Sequence, residues 1–196
     1  MSTDNLLAAW MTREAELAPL LQAGPGPGVA TPAQIQGKTG LEMMQAILHG
    51  HAPYAAIAKT LNFVMVEAEP GLAVFQGTPG PEHLNPLGTV HGGWFATLLD
   101  SALGCAVHTM MPVGRAYTTA DLSVKIVRAI HPSKVQRVRA IGKVLQDGHM
   151  FPLPLSPALF ELVQRLATRG AVLPAAAARA GAGAGVGAGA GAGAGA

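Results

Sequence analysis

Charge is scarce in this chain. Asp, Glu, Lys and Arg make up 12% of its 196 residues, about half the share of an ordinary soluble domain. The formal net charge is only +2, and no two basic residues are adjacent. That excludes the clustered cations a phosphate backbone requires, so no nucleic-acid partner is expected. Cysteine is nearly absent. Cys105 stands alone, which rules out an intramolecular disulfide framework and a cysteine zinc site and fits a reducing, cytoplasmic setting. No uninterrupted run of about 18 strongly apolar residues occurs, so no membrane span is expected. The opening "MSTDNLLAAWMTREAEL" has Asp4 early and lacks the basic region of a secretory signal. Hydrophobic residues, by contrast, reach 49%. A sizeable core is available, and a surface so poor in charge predicts cover by a partner subunit.

Residues 1–32 read as an N-terminal helix and linker. Leu6, Leu7, Trp10, Leu17, Leu20 and Leu21 recur at loose helical spacing before "AGPGPGVATP" breaks the pattern. In "KTGLEMMQAILHG", Leu41, Met44, Ile47 and Leu48 predict a short helix closed by Gly50. "NFVMVEAEPGLAVFQGTP" predicts a hairpin turning at Glu69-Pro70-Gly71. A long helix follows from Gly92 to about Met111, ended by Pro112 and Gly114. "YTTADLSVKIV" and "KVQRVRAIGKVL" alternate apolar and polar residues, the pattern of an antiparallel sheet with one covered face. The long helix is the expected cover.

The stretch "NPLGTVHGGWFATLLDSALG" carries the chemistry. Asp100 is the only formally charged residue between Gly92 and Gly114. An ionised carboxylate buried without a partner costs several kcal/mol by order of magnitude. It is therefore paired, with Lys125, Arg115 or Arg128 as candidates, or exposed at a cleft, or retained for reaction. Gly92 and Gly93 open the helix where unpaired amides and a partial positive charge collect. An amide there can hold an oxyanion; equally, two glycines permit a tight turn. Asp100 lies eight residues beyond Gly92, about 12 Å along the axis. One small reacting group cannot touch both in the same chain. If both serve one site, a twofold dimer with antiparallel helices must bring one copy's Gly92 to the other's Asp100.

"NPLGTVHGG", Asp100 nine residues after His91, and "TTADLSVKIVRAIHP" together resemble the PaaI-type branch of hotdog-fold acyl-CoA thioesterases. The resemblance spans roughly residues 40–144. It implies an α+β hotdog domain over residues 33–145, an antiparallel sheet wrapped around a long central helix. It also implies a homodimer or homotetramer that hydrolyses acyl-CoA without metal or other cofactor. Carried over, Gly92 supplies the oxyanion amide, and Asp100 of the neighbouring copy is general base or nucleophile. Asn85 and His91 orient thioester or water, and Thr119 positions the water. Gly93 and Arg128 are candidate substrate contacts, Arg128 toward a CoA phosphate.

Residues 146–196 depart from that pattern. "VLQDGHMFPLPLSP" does not alternate, and the chain ends in Ala/Gly repeats. This ending resembles translation of a GC-rich gene out of frame, so the last strand or strands of the sheet are expected to be missing. The alternatives to an enzyme are then a non-catalytic acyl-CoA binding module and an inactive, truncated homologue. Rival chemistry is thinner. Cys105 and His108 stand three apart on the helix, but a small buried cysteine is ordinary packing. His83, His91 and His108 lack a further ligand at metal spacing. Ser101 has no nucleophile elbow around it.

Overall fold

The computed structural model describes residues 3–119, 121–126, 130–131 and 137–145, and the backbone of two strands at Leu153–Pro154 and Thr168–Pro174. Five α-helices occur among them: α1 (Thr3–Ala23), α2 (Pro32–Ile35), α3 (Gly40–Leu48), α4 (Ala56–Thr60) and α5 (Gly92–His108). The strands are β1 (Phe63–Glu69), β2 (Leu72–Gly77), β3 (Arg115–Ala116), β4 (Val138–Val144), β5 (Leu153–Pro154) and β6 (Thr168–Pro174). Local chemistry sets several boundaries. Thr39 and Glu42 form a reciprocal capping box at the start of α3. The hairpin turns at Pro70–Gly71, as its residues predict.

β1, β2, β4 and β6 pair antiparallel in that order, and β3 pairs with β5 in a separate two-stranded ribbon. Phe63, Met65, Ala73, Phe75, Val138 and Ala140 project from one face of the larger sheet and are buried. α5 lies across that face with Trp94, Phe95, Leu98, Ala102 and Ala106 turned inward. The recurrence at three and four residues is what gives one helix face to the core. Contact is closest at Gly142, where an added Cβ would lie 2.1 Å from the Ala102 carbonyl oxygen. Only glycine lets β4 approach the helix backbone this far.

The opposite face of the sheet carries Val74, Gln76, Arg137 and Arg139, and α1 covers it. Glu14 accepts from Gln76 Nε2 (2.6 Å) and from Arg137 Nε (2.8 Å), and it also meets Arg137 Nη2. Arg139 pairs with Glu67 (2.6 Å), meets Gln76, and stacks 5.5 Å from the Trp10 ring centre. β1 bulges at Val66, and Arg13 Nε donates to the carbonyl there (3.0 Å). Arg137 and Arg139 are therefore taken up under the first helix, while Lys143, further along β4, stays exposed.

Two stretches differ from the sequence expectation. The described residues of 117–126 join no strand ladder, although half-buried Leu122 and Val124 still alternate with exposed Asp121, Ser123 and Lys125. Alternation sets which side faces inward, but a strand also needs a neighbour with free backbone groups. Conversely, β6 arises inside the segment read as an atypical tail and pairs with the open edge of β4. That pairing uses main-chain groups, which almost any sequence can supply, and the one proline of β6, Pro174, sits at the end of the ladder.

Candidate active site

The entrance of α5 is built by the residues just before it. Asn85 closes a turn on itself: its Oδ1 accepts from Leu87 N–H (2.9 Å) and Thr89 N–H (3.3 Å), and its Nδ2 donates to Thr89 Oγ1 (2.7 Å). Beyond the turn, Val90 N–H donates to the Ile130 carbonyl (3.1 Å) and His91 N–H to the His83 carbonyl (2.8 Å). His83 is structural. Its Nδ1 accepts from Gly80 N–H (2.8 Å), which leaves Nε2 to donate to the Thr60 carbonyl (3.2 Å).

His91 caps the helix. Its exposed ring accepts at Nδ1 from Gly93 N–H (2.9 Å). Trp94 N–H turns back to the His91 carbonyl (3.0 Å). Of the first amides, Gly93 and Trp94 are thereby used, while Gly92 N–H donates to no described residue. Ile126 stands over it: a Cβ on Gly92 would meet Ile126 Cδ1 at 3.0 Å. The free amide N–H at the positive end of a 17-residue helix is a ready donor to developing negative charge.

Two turns further along α5, half-buried Asp100 accepts at Oδ1 from the Thr119 hydroxyl (2.8 Å). Among the described residues no lysine or arginine pairs with it. The second carboxylate oxygen is left for another partner. Gly92 and Asp100 remain about 12 Å apart along the one helix, so a single chain does not bring them together. Of the predicted site residues, it brings Thr119 and Asp100 together, with the hydroxyl rather than Lys125, Arg115 or Arg128 as the partner of the carboxylate. Asn85 and His91 organise the helix entrance instead, and Gly93 has its amide engaged by His91. Arg128 lies outside the described residues.

The neighbouring groups are quiet. Burial, with the Asp100 charge adding, pushes the half-buried Cys105 thiol up to about 12, so it stays protonated and unreactive at neutral pH. Burial holds His108 below its ordinary value, and its Nε2 has no partner among the described residues. Tyr117, missed by sequence reasoning, packs against Gly104 and lies 5.6 Å from the His108 ring. No three His, Cys, Asp or Glu side chains gather at metal distance among the described residues. A cavity of about 660 Å³ exists elsewhere, between α1, α4 and the sheet; Glu14, Tyr54, Phe63 and Arg137 line it, and none of the predicted site residues does. No described helix is long and apolar enough to cross a membrane.

The thioesterase superfamily model matches residues 87–146. No curated protein matches the chain. Among solved structures, the E. coli PaaI protein of the phenylacetic acid degradation operon is 24% identical, over 50% of this chain and 67% of that one, with a TM-score of 0.43. A putative thioesterase from Ralstonia eutropha JMP134, a phenylacetic acid degradation-related protein, is 24% identical over 55% of this chain and 81% of its own (TM-score 0.49). A variant of phenylacetic acid degradation protein PaaI from Thermus thermophilus is 28% identical over 46% and 73% (TM-score 0.38). The matched segment runs from the turn before α5 through β4 and holds Gly92, Asp100 and Thr119. The superfamily's name points to thioester hydrolysis as a general reaction class. Over that segment the chain is similar to the thioesterase superfamily, and its long helix laid on an antiparallel sheet is the hotdog arrangement.

Proposed function

We propose that this protein hydrolyses acyl-CoA thioesters to free acid and CoA, in sites shared between two copies of the chain. Gly92 N–H of one copy polarises the thioester carbonyl and holds the oxyanion as the carbonyl carbon becomes tetrahedral. Asp100 of the other copy either takes a proton from a water that attacks that carbon, or attacks it directly to form a mixed anhydride, which a water hydrolyses to the free acid once the thiolate has left. The C–S bond then breaks, the electron pair leaves on sulfur, and the thiolate takes a proton. A thiolate leaves readily, so no strong general acid is required. Thr119 fixes one carboxylate oxygen and leaves the other facing the substrate. Roles for Asn85, His91, Gly93 and Arg128 at substrate or water belong to the same proposal, as does the cytoplasm as its location.

The observation that carries the reading is the pair of uncommitted groups on one helix. Gly92 presents a free amide among the described residues, and Asp100 is a carboxylate held by a hydroxyl rather than neutralised by a cation.

Mixing two inactive variants tests it. Asp100→Asn removes the carboxylate. Gly92→Pro removes the amide hydrogen at the first helical position, where proline is tolerated; His91 already has the φ −63°, ψ 136° that a following proline demands. Each alone should lose at least about a hundredfold in kcat on an acyl-CoA panel, the scale of losing one such group. Unfolded and refolded together, they should regain activity, because mixed dimers contain one intact site. No recovery on mixing, with both variants folded and dimeric, rejects the shared site. Binding of acyl-CoA without turnover by the parent chain rejects the enzyme.

A further inference from the structure

The hydroxyl of Thr119 reaches Asp100 from a segment that has no strand partner among its described residues. Thr118 and Thr119 are both exposed. Left to itself, such a segment would sample many positions. Its nearest anchor is Tyr117. The Tyr117 ring lies against α5 at Gly104: a Cβ there would come 2.3 Å from Tyr117 Oη and 2.9 Å from both Cε2 and Cζ. The His108 ring flanks it one turn further on.

The spacing is consistent on both sides. Gly104 follows Asp100 by four residues, one helical turn, or about 6 Å along the axis. Thr119 follows Tyr117 by two residues, which in extended chain is about 6.6 Å and returns to the same side. The chain therefore runs antiparallel to α5, with Tyr117 over Gly104 and Thr119 over Asp100. Mid-helix glycine costs about 1 kcal/mol relative to alanine, and here it makes the seat for the ring. We infer that Tyr117, seated in the notch at Gly104, is a positioning residue that holds Thr119 against Asp100. Its importance for catalysis rests on the reading of Asp100 as the reacting carboxylate. Burial, with the charges of Cys105 and Asp100 adding, raises the Tyr117 phenol above its ordinary value, so the ring packs as a neutral body throughout the working pH range.

The test follows the NMR resonance of the Asp100 carboxyl carbon in the full chain at neutral pH, a readout independent of turnover. Thr119→Val should move that resonance, because one carboxylate oxygen loses its hydroxyl partner. Tyr117→Ala and Gly104→Ala, which unseat the ring, should move it equally. Tyr117→Phe, which keeps the ring, should leave it in place. Adding Tyr117→Ala to Thr119→Val should move it no further, since both act through one contact. Where hydrolysis is measured, kcat should fall with KM unchanged. If Tyr117→Ala and Gly104→Ala fold and leave the resonance at its parent position while Thr119→Val moves it, the inference is wrong; Tyr117→Leu serves if the alanine variant does not fold. If the resonance moves as expected but the parent chain never hydrolyses a thioester, the proposed reaction falls and the positioning role stands.

Discussion

Arg137 and Glu14, 123 residues apart, form a two-pronged ion pair between the sheet and α1. The side chains are only 20% and 12% exposed. Breaking a pair of this kind leaves a charge without compensation, a larger loss than the pair itself is worth.

Glu14→Ala should therefore destabilise the fold by about 2 kcal/mol, below the fully buried range because some solvent reaches both groups. Urea unfolding of the parent and variant measures it. Replacing both partners together, Glu14→Leu with Arg137→Met, should recover most of the loss. A fully additive double variant would show that the two residues do not act as a pair.

Gly142→Ala should cost about 3 kcal/mol or prevent folding outright. The methyl group would run into the Ala102 carbonyl, and backbone cannot step aside as a side-chain end can. Chemical denaturation reads the loss. An unchanged midpoint would mean that β4 does not approach α5 so closely.

Cys105 should resist alkylation. With its thiol pushed up to about 12, iodoacetamide at pH 8 should react roughly a thousandfold more slowly than with free cysteine. The rate should rise about tenfold per pH unit from pH 8 to 10 without levelling. Mass spectrometry of the labelled peptide follows it, and a plateau near pH 9 would contradict the buried thiol. Cys105→Ser should keep whatever turnover the parent has.

His108 gives stability a slope on the acid side. Burial lowers its folded value, so between the unfolded value, about 6.5, and the lower folded one, the unfolded chain binds more protons. Stability is complete above the unfolded value and declines as pH falls through that window. His108→Gln should flatten the decline between pH 7 and pH 5 in urea midpoints. An identical slope in the variant would assign it to other groups.

The sequence made some of this legible and left the rest to three-dimensional packing. α3 showed itself through its apolar spacing, and the hairpin through Glu69-Pro70-Gly71, because both are decided within a dozen residues. The same holds for the glycine entrance of α5 and the single acid inside it. The partner of Asp100 was less determined: Arg115 is nearer to it in sequence than Thr119, Lys125 and Arg128 are only a little farther, and only the run of residues 117–119 against the helix selects the hydroxyl. The strand-like pattern over 117–126 told which side faces inward but not whether a neighbour waits for it. The Glu14–Arg137 clamp was invisible, since no local rule joins residues at opposite ends of a domain. Gly104 was a signal left unread: glycine within an apolar helical run marks a close approach of something large.

The placement of α1 limits how such domains can meet. By lying over Gln76, Arg137 and Arg139, it occupies the ground on which two sheets would stack back to back. Two copies that stacked sheet against sheet on this side would first have to lift that helix and give up the Glu14–Arg137 pair beneath it.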